Sequence, residues 1–303
     1  MSGRAAPGRD GYAYPLYREN QRQLPPGWAG TIYIWDIDNT YLITEWEGFR
    51  DLVRIRFEAA EDKRPVPGAV ELLAGLRRVE VAGERPPVYF VSASPETMRP
   101  VLERRMLIDG VVHDGITFRS LRRLRYLRDI FGYKLAALLL YRLENPPGAR
   151  EVLFGDDREH DPWIYELYAR ACGGRCRGPE LVAALTGYGV RASAARYVAA
   201  LAGELPERDP VEWILIRRTG AKRVERDPPE DPRLVFLDDF AQGAALLRAL
   251  ELIPAEDLLR VREAVRAAAA DAAQDPLRAI RDHTAGLPAG AVERVARELG
   301  EPA

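Results

Sequence analysis

The sequence predicts an α/β fold, a Rossmann-like parallel sheet flanked by helices. Two observations carry that prediction. Short apolar runs, Thr31 to Trp35, Val88 to Val91, Glu151 to Phe154, Glu212 to Arg217 and Leu234 to Leu237, alternate with stretches of helical periodicity, the spacing of βαβ units. The first three runs also end in polar clusters: Asp36 and Asp38, then Ser92, then Asp156, Asp157 and Asp161. In open parallel sheets, ligands gather at the carboxyl ends of the strands.

Along the chain, residues 1–29 are rich in Gly, Arg, Pro, Tyr and Gln without periodicity, which predicts a flexible N-terminal arm. Thr31-Ile-Tyr-Ile-Trp35 is β-branched and aromatic, as suits a strand buried on both faces. If the extended backbone runs on, Asp36 and Asp38 share one face. Glu45 to Ala60 is mixed in character, Pro65-Val-Pro-Gly68 punctuates, and Ala69 to Arg78 reads as an amphipathic helix.

After the second strand, Glu96 to Met106 has helical periodicity. Leu107 to Arg128 is dense in Leu and Arg with a Gly-rich loop near Gly110 and Gly115, and Lys134 opens an apolar helix over Leu135 to Leu143. A helix over Trp163 to Ala171 follows the third strand, residues 178–203 are helical, and Ala241 to Leu252 forms a helix after the fifth strand. Past Pro254 the composition turns to Ala, Arg and Glu. The expected organisation is an arm (1–29), a catalytic domain (30–252) with a helical insertion at 172–210, and a C-terminal helical extension (253–303).

Lys and Arg number 44 against 46 Asp and Glu, a net charge of -2. Nothing global therefore points to nucleic acid or an anionic membrane surface. The run Arg119, Arg122, Arg123, Arg125, Arg128 reads as a solvated face, or as positive charge offered to an anionic substrate. Cys172 and Cys176 in C-G-G-R-C lack the second Cys or His pair of a zinc knuckle and read as a helix end with a Gly turn. With no signal peptide or long apolar run, the expected location is cytoplasmic.

Were the three strand ends to meet, they would gather up to five carboxylates, one or two hydroxyls and a lysine. Hard oxygen ligands suit Mg²⁺ better than zinc. One aspartate could then attack phosphorus, while its neighbour two residues on handles protons. Ser92 and Lys134 would hold phosphoryl oxygens.

Four motifs in this order resemble those of the haloacid dehalogenase (HAD) superfamily, over residues 30 to 171. D-x-D-x-T matches Asp36-Ile-Asp38-Asn39-Thr40, which implies Asp36 as nucleophile and Asp38 as general acid/base. The strand-end hydroxyl matches Ser92, ahead of Ser94, and the helix-start lysine matches Lys134. The acidic motif matches Gly155-Asp156-Asp157 through Asp161. The resemblance further implies Thr40, Ser92, Ala93 and Lys134 around the substrate phosphate. It implies Mg²⁺ among Asp36, Asp38, Asp156, Asp157 and Asp161.

Ser92-Ala-Ser-Pro95 and Gly155-Asp-Asp-Arg-Glu-His-Asp-Pro-Trp-Ile-Tyr165 look most like a narrower group. That group is the phosphatidate-phosphatase-like catalytic domain of fungal actin-patch proteins and bacterial relatives, which commonly has an acidic residue where Asn39 stands. The implied enzyme is a Mg²⁺-dependent phosphomonoester hydrolase working through an aspartyl-phosphate, with a lipid phosphate or other bulky phosphoester as partner. The rivals are a nucleic-acid-end phosphatase or repair factor and a non-catalytic binding protein of HAD-like fold. Trp46 to Pro65 and Pro95 to Tyr133 are short for an independent lid. A minimal cap is therefore expected, unless residues 178–210 or the helices after Pro254 close the mouth.

Overall fold

The computed structural model describes residues 16–43, 63–120, 129–220, 229–268 and 275–302. Among them, seven strands form one sheet in the order β1-β4-β3-β2-β5-β6-β7. The strands are β1 (Leu16–Asn20), β2 (Thr31–Asp36), β3 (Val88–Pro95), β4 (Gly115–Arg119), β5 (Arg150–Asp156), β6 (Val211–Arg217) and β7 (Leu234–Leu237). All pair in parallel except β1, which runs antiparallel on β4.

β2 is central and buried along its whole length. Its side chains alternate between two cores, as the pleat requires. Tyr33 and Trp35 face one layer, Ile32 and Ile34 the other, and the Trp35 ring stacks on Phe154 of β5 at 4.1 Å between centroids. The first layer is built by α1 (Ala69–Leu76), α7 (Phe240–Ala249), α8 (Ala255–Ala268), α9 (Arg278–Asp282) and α10 (Ala291–Leu299), the second by α3 (Ile130–Glu144), α4 (Asp161–Cys172), α5 (Gly178–Gly187) and α6 (Ala192–Glu204). A short 3-10 turn (Glu96–Met98) and α2 (Arg99–Ile108) link β3 to β4.

From β2 the chain winds outward through β3 and β4, then returns to the other side of β2 and winds out through β5, β6 and β7. The carboxyl ends of β2 and β5 thus flank the topological switch point, where such sheets bind ligands.

Three expectations change. Residues 16–20, expected within a flexible arm, form an edge strand. Ion pairs hold it in place of an apolar stripe: Arg18 donates to both carboxylate oxygens of Glu144 at 2.7 and 2.9 Å, and Arg99 to both of Glu19 at 2.6 Å. Gly115–Arg119, expected to be loop and solvated Arg-rich face, is the buried strand β4. The helix carrying Lys134 starts four residues earlier than expected, because Asp129 caps it by accepting from Gly132 N at 2.9 Å, as N-cap carboxylates do. Lys134 therefore sits in the second turn.

The C-terminal helices share their core with the sheet: Leu258, Val261, Ile280 and Val295 lie in the cluster that contains Trp35 and Phe154. Residues 178–204 form a hairpin on the opposite layer. At its turn, Tyr188 stacks on Phe131 of α3 at 4.0 Å between centroids. Cys172 and Cys176 are both buried and free. Most of Trp46 to Pro65, with Arg122, Arg123, Arg125 and Arg128, lies outside the described residues. No described helix is long and apolar enough to cross a membrane.

Candidate active site

Asp36 is the last residue of β2 and Asp156 the last of β5, while Asp161 opens α4 with Pro162 behind it. Proline at the start of a helix leaves no intrahelical donor unmet. These placements bring carboxylate oxygens of Asp36, Asp156 and Asp161 within 4.8 Å of one another, all buried. Lys134 reaches the group from α3: its ammonium donates to Asp36 Oδ1 at 2.7 Å and Asp161 Oδ1 at 2.6 Å, and Glu159 Oε2 lies 3.2 Å away.

Gly155 makes room for this arrangement. A Cβ there would lie 2.6 Å from Asp161 Oδ2 and 2.9 Å from the Tyr165 ring. Asp161 Oδ2 instead packs on the bare strand and accepts from Asp156 N at 3.4 Å. The loop after β5 is further set by Asp156 Oδ1, which accepts from Arg158 N at 2.6 Å and Glu159 N at 3.2 Å, an Asx-type turn.

Burial pushes Asp36 and Asp156 well above the usual carboxylate range; Lys134 pulls both down, and their acidic neighbours push both up. Asp161 is raised for the same reason, less strongly, with Lys134 opposing. Burial would also strip the Lys134 proton, but Asp161, Asp36 and Glu159 outweigh it and hold the ammonium well above its ordinary value. One ammonium thus faces several buried carboxylates, a surplus of negative charge that burial penalises.

The cluster fits a divalent cation. Asp36 Oδ2 and Asp156 Oδ2 are buried and receive no hydrogen bond, a costly condition for carboxylate oxygens. The donor set is all hard oxygen, which suits Mg²⁺ rather than thiophilic metals.

Asp38 takes a different environment. β2 ends at Asp36, so strand alternation does not continue to Asp38. Its Oδ2 accepts from Ser92 Oγ at 3.2 Å and Ser94 Oγ at 3.0 Å, and Ser94 N donates to Ser92 Oγ at 3.0 Å. Both serines, with Ala93 between them, belong to β3 and are buried, and the Tyr133 hydroxyl pins that segment by donating to Ser92 O at 2.7 Å. Asn39 has a φ of 59°, a left-handed conformation that asparagine tolerates better than most residues. Thr40 is buried, and its hydroxyl makes no hydrogen bond.

Among the expected metal residues, Asp36, Asp156 and Asp161 come together; Asp38 and Asp157 are not among the carboxylates that could share one ion in the described residues. For Asp157 this is a correction with a clear cause: its Oδ1 accepts from Thr219 N and Thr219 Oγ1, both at 2.8 Å. His160 is a packing residue, its ring 6.1 Å from Phe131 and 6.2 Å from Trp163.

The sequence reading missed Glu159, Arg217 and Thr219. Arg217 closes β6, and its Nη1 donates to Asn39 O at 2.9 Å. Its position at a strand carboxyl end was the signal that marked the other site residues. Glu159 was hidden inside an acidic run.

The site thus lies where parallel sheets of this topology bind ligands, at the carboxyl ends of β2 and β5. Residues 31–178, just under half of the chain, match the family model for the catalytic domain of phosphatidate phosphatase APP1. Among solved structures, the chain is similar to a Mesorhizobium loti protein described as a HAD-like phosphatase. Identity is 14%, 86% of this chain and 96% of that one are covered, and the TM-score is 0.41. No curated protein matches.

Proposed function

We propose that the chain hydrolyses phosphate monoesters through an aspartyl-phosphate on Asp36, with Mg²⁺ held by Asp36, Asp156 and Asp161. The observation that carries this reading is the Lys134 ammonium lodged between Asp36 and Asp161, at 2.7 and 2.6 Å, while Asp36 Oδ2 and Asp156 Oδ2 stay free of donors. When bound, the ion offsets the surplus negative charge and draws phosphoryl oxygens to the site.

The chain's own residues account for the rest. A carboxylate oxygen of Asp36 attacks phosphorus, and the bond from phosphorus to the ester oxygen breaks. Asp38 gives its proton to the departing alkoxide, so that an alcohol leaves. Asp38 then takes a proton from the water that attacks the acyl-phosphate, and phosphate departs as Asp36 is restored. Ser92 and Ser94 hold Asp38 for both transfers, since a hydroxyl can donate to the carboxylate and accept from the carboxylic acid. Lys134 fixes the Asp36 carboxylate and places positive charge where the transition state is negative.

A lipid phosphate or another bulky phosphoester is the proposed substrate. Two things support it: the matched family's description names a phosphatidate phosphatase, and no separate lid stands among the described residues. The stretch from Pro95 to Tyr133, insofar as it is described, is used up by α2, β4 and the start of α3.

The test is a panel of phosphatidate, sugar phosphates, nucleotides and a 5′-phosphorylated oligonucleotide, assayed with and without Mg²⁺. Turnover of phosphatidate that disappears in chelator is expected. Preference for the oligonucleotide would overturn the lipid assignment, and no turnover of any ester would overturn the hydrolase reading.

A further inference from the structure

Arg217 lies beyond the segment that matches the phosphatase family model and carries none of the four motifs. It ends β6, a strand that pairs with β5 and β7 and not with β2. In register it stands beside Asp156. Its guanidinium nevertheless reaches across the end of β5 to the loop after β2, where Nη1 donates to Asn39 O at 2.9 Å.

The Asn39 carbonyl is a sensitive point. Asn39 takes a left-handed conformation, φ 59°, and its N donates to Leu42 O at 2.7 Å. Asparagine tolerates that conformation better than most residues, and neighbours that bond its peptide groups help to keep it there. The turn after Asp38 is thus shaped by Asn39 and held by Arg217 at the peptide that joins Asn39 to Thr40. The same strand end ties down the other acidic loop, because Asp157 N donates to Arg217 O at 3.1 Å while Thr219 binds the Asp157 carboxylate.

We propose that Arg217 is a positioning residue for Asp38: by holding the Asn39 carbonyl it fixes the turn that points the Asp38 carboxyl group at the leaving-group oxygen. The inference rests on the reading of Asp38 as the proton donor. Neutralising the nearby aspartates is a different role, and it predicts different kinetics. In the first step, the one that kcat/KM reports, a misplaced general acid matters only when the leaving group needs a proton; the water that Asp38 activates in the second step is common to every ester. Loss of charge compensation would slow every ester alike.

The test compares wild type, D38N, R217M and R217K on p-nitrophenyl phosphate, whose phenolate leaves unaided, and on 2-phenylethyl phosphate, whose alkoxide must be protonated. General acid catalysis contributes about 10²–10⁴-fold. R217M is therefore expected to lose at least about 10-fold more kcat/KM on the alkyl ester than on the aryl ester, in the same direction as D38N. R217K keeps the charge and can still donate one hydrogen bond, so it should show a smaller loss of the same kind. If R217M does not fold, R217K alone carries the comparison.

Equal losses on both esters, or none, in the Arg217 variants while D38N shows the leaving-group dependence would overturn the role of Arg217 alone. A D38N variant without that dependence would overturn the assignment of Asp38 and this inference with it. Wild type inert on both esters would overturn the hydrolase reading itself.

Discussion

Lys134 Nζ stands 2.7 Å from Asp36 Oδ1, joining the second turn of α3 to the last residue of the central strand. Both side chains are buried, and the contact is an ion pair far from bulk water. Such pairs are costly to break by removing one partner, about 3–5 kcal/mol, because the other charge is left uncompensated.

K134M should therefore lose both activity and stability. We expect kcat on any substrate to fall by at least about 10²-fold, as for loss of a preorganised electrostatic contact. The melting temperature in chelator should also drop. A K134M protein with wild-type kcat would remove Lys134 from the mechanism.

Asp156 and Asp157 are neighbours with opposite expected phenotypes. D156N should abolish dependence on added Mg²⁺ together with turnover, since Asp156 Oδ2 is a buried oxygen of the acidic cluster. D157A should leave the Mg²⁺ dependence in place and cost about 1–3 kcal/mol of stability through the unpaired Thr219 donors. Mg²⁺ titrations of activity, run beside chemical denaturation, separate the two. Reversed phenotypes would contradict the assignment.

G155A probes the bare stretch of β5. Its methyl group would lie 2.6 Å from Asp161 Oδ2, so Asp161 must move and its bond to Lys134 with it. Overpacking costs about 1–3 kcal/mol, and kcat should fall more than that loss of stability alone would bring. Unchanged kcat in a folded G155A protein would mean that Asp161 is not needed where it stands.

Acid should release β1 before it unfolds the rest. The Arg99 guanidinium bonded to Glu19 holds that carboxyl below its ordinary value. For Glu144, burial acts upward, but Arg18 outweighs it and the net shift is also down. A carboxyl lowered on folding adds stability that is fully present above its unfolded value, near 4.5 for these groups. That stability is lost as pH falls through the lowered folded value. Both pairs are partly exposed, so the effect is moderate and weakens with salt. Amide exchange in Leu16–Asn20, compared with that in β2 from neutral pH to below pH 4, checks this. Equal protection of the two strands throughout would contradict it.

Much of this was legible in the sequence, and unevenly so. β2, β3, β5, β6 and β7 announce themselves because apolar runs buried on both faces have no other stable use. Their polar ends mark Asp36, Asp38, Ser92, Asp156 and Asp161 directly. β1 and β4 were hidden. Leu-Tyr-Arg-Glu-Asn is held by ion pairs to residues far along the sequence that no local pattern reveals, and Gly-Ile-Thr-Phe-Arg is too short and too close to an Arg-rich run. Asp157 misled because it lies just past the end of β5, where Thr219 takes up its carboxylate. Arg217 could not be paired with Asn39, 178 residues away, until the sheet order set β6 beside β5.

The most direct measurement is an acid-quenched single turnover with Mg²⁺ and a turned-over phosphate ester, followed by mass spectrometry of the peptide that contains Asp36. A phosphoryl group on Asp36 in wild type, absent in D36N along with turnover, is the predicted result. Turnover retained in D36N, or a phosphoryl group carried by a different residue, would contradict the account.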